Sequence, residues 1–190
     1  MLSEQAREKI REQISRYPDS RSALGQALYI AQQECGGWVP PDAVRDVAHE
    51  LGLEPADVQS TMSFYTMYHK VPVGKYIVEI CHNIACAING SQNLFRVMEE
   101  DCGIHAGETS KDGLFTLKAV ECLAGCGGAC TLQLNGLYHF QVTPERLREI
   151  LARCRTENGA GESIYSATYA PEKVGRDDPA ASSEGGAHHA

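Results

Sequence analysis

Between residues 5 and 68 apolar and small side chains recur at helical spacing, and from 76 onward they cluster in short runs as strands do. In 5–17 the stripe is Ile10, Ile14 and Tyr17. In 21–35, Leu24, Ala27, Leu28 and Ala31 fall at i, i+3, i+4 and i+7, one face of a helix that Gly36 and Gly37 end. Pro40 and Pro41 open a third run in which Val44, Val47, Ala48 and Leu51 repeat the spacing, with Gly52 at its C-terminal end. Pro55 starts a fourth, through about Tyr68. Short amphipathic helices must cover their apolar faces with one another, so the pattern predicts a small helical bundle over residues 1–71.

After Pro72 and Gly74 the period changes. Tyr76, Ile77, Val78 and Ile80 form a β-rich run with Cys81 at its end, and 115–120 reads as a second strand leading to Cys122. Between them 91–100, with Leu94, Phe95, Val97 and Met98, reads as the crossover helix of a βα unit. The Asn135-Gly136 pair between two apolar runs predicts a hairpin over 131–140, and Thr143-Pro144 caps a last helix to about Cys154. The class is therefore α+β, a helical bundle followed by a mixed domain over 72–154. From 155 to 190 the chain is rich in Gly, Ala, Ser, Glu and Asp, too polar to offset the entropy of ordering, and reads as a disordered tail. Ile164, Tyr165, Tyr169 and Val174 are its apolar exceptions.

Composition narrows the function classes. At 190 residues and 43% hydrophobic the chain can bury a real core. A net charge of −8 without a basic block argues against nucleic acid or anionic lipid as partner. The N-terminus lacks the apolar stretch of a secretory signal, and no segment approaches the roughly 20 apolar residues of a membrane span. Export and direct membrane contact are thus not expected. A cytoplasmic setting keeps thiols reduced, so the 8 cysteines read as metal ligands or small buried side chains before disulfides.

Four of those cysteines stand as two close pairs, Cys81 with Cys86 and Cys122 with Cys126, each pair following a strand. If the strands are neighbours, both loops leave the same edge of the sheet and the four sulfurs can meet. Neither pair is CxxC, and the spacing fits a [2Fe–2S] cluster better than a zinc ribbon or a redox dithiol. Gly125, Gly127 and Gly128 let backbone N–H groups approach a cluster. Four thiolates favour a low potential, hence electron exchange with a strong reductant.

Cys130 repeats the Cys122 to Cys126 interval, so one of the three is spare. We select Cys122 and Cys126, nearest the strand end, and read Cys130 as a buried side chain entering the next strand. Cys35, Cys102 and Cys154 read as packing residues. A zinc-stabilised interaction module with no redox role remains the rival of a different class. His82, beside Cys81, tunes the site or faces solvent, and His69, His105 and His139 stand apart from the cysteine pairs in the sequence. His188 and His189 belong to the tail. No catalytic residue, phosphate loop or dinucleotide fingerprint is found.

Three stretches carry a family resemblance: Phe64-Tyr65-Thr66-Met67-Tyr68, Ile80-Cys81 with Cys86, and Val120-Glu121-Cys122-Leu123 leading to Cys126. Over most of 1–153 the chain resembles the small [2Fe–2S] subunit of the NADH-oxidising module of respiratory complex I, the E-subunit family of NADH-quinone oxidoreductase. The resemblance implies a thioredoxin-like ferredoxin domain with one [2Fe–2S] cluster on Cys81, Cys86, Cys122 and Cys126. It also implies docking against a flavoprotein subunit that carries FMN, a [4Fe–4S] cluster and the NADH site, and through the peripheral arm an association with the inner membrane. On that reading the helical bundle serves docking, and no complete active site lies on this chain. An NAD-linked hydrogenase or formate dehydrogenase reuses the same pair of subunits and is the nearest alternative. The sequence departs from the family in having Ala124-Gly125 where Gly-Ala is common, and Cys130 where proline is common.

Overall fold

The computed structural model describes residues 2–156. The residues expected to form the tail lie outside that range from 157 on, among them Ile164, Tyr165, Tyr169, Val174, His188 and His189. The chain divides after Gly74 into two compact units.

The first unit is all helix. Its helix α1 (Glu4–Ile14) is capped by the Ser3 hydroxyl, which accepts from Ala6 N. It stops short of the expected Tyr17, which is 40% exposed and takes no place in the apolar stripe. Pro18 explains the early end, because proline drives the preceding residue out of the helical region. After a 3-10 turn at Ser20–Ala23 come α2 (Leu24–Glu34) and α3 (Pro41–Leu51), closed by Gly52 in the left-handed conformation with φ 65. Leu24, Ala27, Leu28 and Ala31 of α2 and Val44, Val47, Ala48 and Leu51 of α3 are buried together with Ile10, as their spacing predicts.

Helix α4 (Pro55–Phe64) also ends before its expected limit at Tyr68. Tyr65 turns extended, and Gln32, fully buried in α2, ties down the residues beyond it. Its amide donates to Met67 O at 3.1 Å and accepts from His69 N at 2.7 Å, while the Tyr68 hydroxyl donates to Gly25 O at 3.0 Å. Tertiary bonds here outcompete helical continuation.

The second unit is built on a mixed sheet of β1 (Tyr76–Cys81), β2 (Phe115–Val120), β3 (Leu132–Leu134) and β4 (Leu137–His139) in the order β2-β1-β3-β4. Strands β1 and β2 are parallel, which requires a crossover, and α6 (Ser91–Cys102) supplies it. Strand β3 lies antiparallel to β1 and to β4. The hairpin turn places Asn135 at φ 53 and Gly136 at φ 84, the left-handed pair that a two-residue hairpin demands. Val78, Ile80, Leu117 and Leu132 are buried with Leu94 and Met98 of α6 and with Leu147 and Leu151 of α7 (Pro144–Thr156). Thr143 caps α7, its hydroxyl accepting from Arg146 N, and the helix runs through Arg155 and Thr156 where the sequence reading began the tail.

One element is absent from the sequence reading. A short helix, α5 (Ile84–Ile88), follows Cys81 and carries Cys86, and the Asn83 side chain accepts from Ile84 N at its start.

Candidate metal centre

Parallel pairing of β1 with β2 sets Cys81 opposite Val120, so the loops after both strands leave the same edge of the sheet. Cys81 closes β1 and is buried, with its N–H donating to Thr131 O at 3.2 Å. Cys86 sits on α5, 2% exposed, and its Sγ accepts from Thr131 N at 3.4 Å. It therefore comes from a helix rather than from the open loop the sequence implied. Cys122 and Cys126 follow β2 in an exposed loop, their Sγ atoms 3.4 Å apart, and Ala124 N donates to Cys122 Sγ at 3.3 Å.

The thiols affect one another. Burial pushes the Cys86 thiol up, opposed by the Thr131 N–H and reinforced by the neighbouring Cys81. Cys126 is pushed up chiefly by its hydrogen bond and charge interaction with Cys122, then by burial, with smaller contributions from Cys86 and Cys81. The Cys81, Cys86 and Cys122 sulfurs thus all act on Cys126, and a neighbouring negative charge makes its thiolate harder to form. Iron bound here would offset that cost, since a metal's positive charge favours the thiolate.

Among the described residues no three His, Cys, Asp or Glu side chains already stand as a closed ligand shell, and the sulfurs meet two by two, Cys86 with Cys81 and Cys126 with Cys122. The residues nevertheless fit an iron–sulfur group. All donors are soft thiols, and tetrahedral metal–sulfur bonds of about 2.3 Å separate two thiolates by roughly 3.8 Å, close to the 3.4 Å between Cys122 and Cys126. Backbone N–H groups already point at Cys86 and Cys122.

Cys130 is buried beside Cys86 rather than exposed in the loop with Cys122 and Cys126. It is 4% exposed and packs in the core of the unit, and its Sγ donates to Asn89 O at 3.2 Å and Cys86 O at 3.5 Å. Burial pushes its thiol up as well. The peptide bond joining it to Ala129 is cis. Of the remaining cysteines Cys154 is buried, while Cys35 and Cys102 are half-buried at helix ends. His82 turns to the second loop, with Nε2 3.6 Å from Glu121 Oε1, and Asn83 Nδ2 donates to Glu121 Oε2 at 3.0 Å.

Two supports of the site escaped the sequence reading. Thr131 bonds Cys81 and Cys86 through its backbone and, through its hydroxyl, the Gly125 and Gly128 carbonyls that flank Cys126. Tyr138 and Phe140, stacked with ring centres 5.6 Å apart, brace the glycine loop. The Tyr138 hydroxyl donates to Leu123 O at 3.1 Å, and Phe140 fills the space where Gly125 and Gly128 lack a Cβ. The glycines were the available signal, since a residue without a side chain marks where another group comes close.

A mixed sheet that carries two thiol pairs to one edge is the framework of a small iron–sulfur protein, and the model of the thioredoxin-like [2Fe–2S] ferredoxins matches residues 10–155. The chain belongs to that family. Its relatives are more particular, and two of them are E subunits of NADH-quinone oxidoreductases. To the E subunit numbered 2 of Rhizobium meliloti (strain 1021) the chain is 39% identical over 165 residues, covering 87% of this chain and 97% of that one. To the E subunit of Escherichia coli (strain K12) it is 35% identical over 152 residues, covering 80% and 91%. In fold it is similar to a chain of an NAD+-reducing [NiFe]-hydrogenase, with a TM-score of 0.62 at 17% identity, over 77% of this chain and 25% of that chain. No helix among the described residues is long and apolar enough to cross a membrane.

Proposed function

We propose that this chain is the [2Fe–2S] electron-transfer subunit of an NADH-quinone oxidoreductase, with Cys81, Cys86, Cys122 and Cys126 as the ligands. The observation that carries the reading is the register of β1 on β2, which brings a buried thiol pair and an exposed one to the same sheet edge. Its relatives among the E subunits, matched over nearly their whole length, support the complex.

When bound, the cluster supplies a one-electron store. The chain's own residues do the rest. Cys81 and Cys86 would hold the cluster from the buried side, where low dielectric strengthens every interaction with charge. Cys122 and Cys126 would hold it from the surface, where a redox partner can approach. N–H groups of Ala124 and Thr131 donate to the Cys122 and Cys86 sulfurs and would stabilise the negative charge that reduction adds. The electron is exchanged with FMN in a flavoprotein subunit that also carries the NADH site and a [4Fe–4S] cluster, and that subunit ties this chain to the peripheral arm and through it to the inner membrane. Docking falls to the helical unit, which holds exposed Phe64, Tyr65, Met67 and Val71 and no metal-binding constellation among its described residues.

Anaerobic purification tests the cluster. A brown protein whose visible absorbance bleaches on reduction supports it, and a colourless protein with bound zinc rejects it. Cys122→Ser or Cys126→Ser loses the cluster, whereas Cys130→Ser keeps it. The reverse pattern in iron content shows that the third cysteine is the ligand. Subunits that co-purify separate a quinone-linked complex from an NAD-linked hydrogenase or formate dehydrogenase.

A further inference from the structure

Thr131 stands between the two cysteine pairs and bonds to both sides. It lies just before β3 and is 1% exposed. On one side its carbonyl accepts from Cys81 N and its N–H donates to Cys86 Sγ. On the other its hydroxyl lies 2.9 Å from Gly125 O and 3.2 Å from Gly128 O, flanking Cys126. A hydroxyl has a single proton, so these carbonyls share it. The packing leaves no slack: a Cβ on Gly125 would stand 2.7 Å from Thr131 Oγ1 and 2.9 Å from its Cγ2.

We infer that Thr131 is the positioning residue of the metal centre, setting the distance between the Cys81 and Cys86 thiols and the loop that carries Cys122 and Cys126. The inference rests on the four-cysteine reading above. Thr131 is no ligand and acts through the groups it holds. Its β-branched side chain is stiff about χ1, so a hydroxyl anchored by two backbone bonds to the inner pair presents a fixed point to the outer loop. Each of these half-buried carbonyls also accepts a backbone N–H, Gly125 O from Gly128 N and Gly128 O from Gln141 N, so removing the hydroxyl takes away the bond that ties them to Thr131 and lets the loop shift against it. That shift alters the spacing of the pairs and the N–H···S bond at Cys86. Partners that orient metal ligands typically govern affinity by about 10–100-fold when removed.

Thr131→Val keeps the shape and removes the hydroxyl, whereas Thr131→Ser keeps the hydroxyl. Gly125→Ala attacks the same contact from the loop side and also presses on Phe140 Cε1, 2.8 Å from the added Cβ. The full chain with its cluster is purified in each form, and iron release to a ferrous chelator is followed beside the EPR spectrum and midpoint potential of the reduced protein. Thr131→Val and Gly125→Ala are expected to release iron about tenfold faster, with shifted g values and a more negative potential, while Thr131→Ser behaves as wild type. A Thr131→Val protein with the wild-type release rate and spectrum overturns the inference, and so does Thr131→Ser releasing iron as fast as Thr131→Val. If Thr131→Val fails to fold, Gly125→Ala decides, and wild-type behaviour there overturns it. A wild-type protein with no [2Fe–2S] signal brings down the cluster reading and the inference with it. Unaltered variants around an intact cluster refute the positioning role alone.

Discussion

Ala124 holds φ 59, in the left-handed region where a side chain costs about 1–2 kcal/mol, while its neighbour Gly125, free to adopt that conformation, holds φ −100. The two residues are not interchangeable. Gly125 is needed where a Cβ would strike Thr131 and Phe140, and the angle at Ala124 accompanies the N–H bond from that residue to Cys122 Sγ. Ala124→Gly keeps the N–H and relieves the strain, so it should raise unfolding stability by about 1 kcal/mol, read as a higher denaturant midpoint with an unchanged visible spectrum. At this scale the candidate cysteines were legible because the members of each pair lie close together in the chain. Thr131 was not, because its N–H bond reaches a sulfur 45 residues away and nothing local marks it. Cys130 was read correctly as a buried side chain on the way into β3, though its contacts with Asn89 O and Cys86 O belong to the tertiary structure.

Among the elements, periodicity located α2 and α3 and the strands β1 and β2, whose buried faces follow their spacing. It failed where an element was too short to show a period, as in α5, for which Asn83 was the one available start signal. It also overran α1 and α4, where Pro18 and the bonds from Gln32 fix the ends. Charge joins α1 to α3. Glu50, with its side chain 6% exposed, accepts from Arg11 Nε and from Arg7 Nη1, both at 2.9 Å. Arg11 first, and then Arg7, overcome the cost of burial and hold its carboxyl below the usual carboxylate range. A group depressed in the folded state stabilises above its unfolded pKa, about 4.3, and that contribution is lost as pH falls through the folded value. Helical unfolding followed by circular dichroism from pH 6 to 3 should therefore show a steeper loss of stability in wild type than in Glu50→Gln. Parallel slopes would mean that this network does not set the acid response.

For the whole molecule, each of the two units has a buried core of its own, and the candidate centre lies wholly within the second. A metal group bound by the native state alone adds its binding energy to folding. Stripping the cluster with a chelator under reducing conditions is expected to lower the melting midpoint of the second unit by at least about 5 °C, measured by calorimetry against the cluster-loaded chain. An identical midpoint would show that the thiols are held by the sheet alone. By itself the sequence determined the helical first unit, the βα order of the second, the four candidate thiols and the family resemblance. These follow from spacing within a few residues, which periodicity and turn chemistry encode directly. Only the tertiary structure decided the strand order β2-β1-β3-β4, the placement of Cys86 on a helix, the inward turn of Cys130 and the place of Thr131 between the pairs. Each of these depends on pairing or packing between distant segments, and local patterns along a chain carry no record of which distant group will be met.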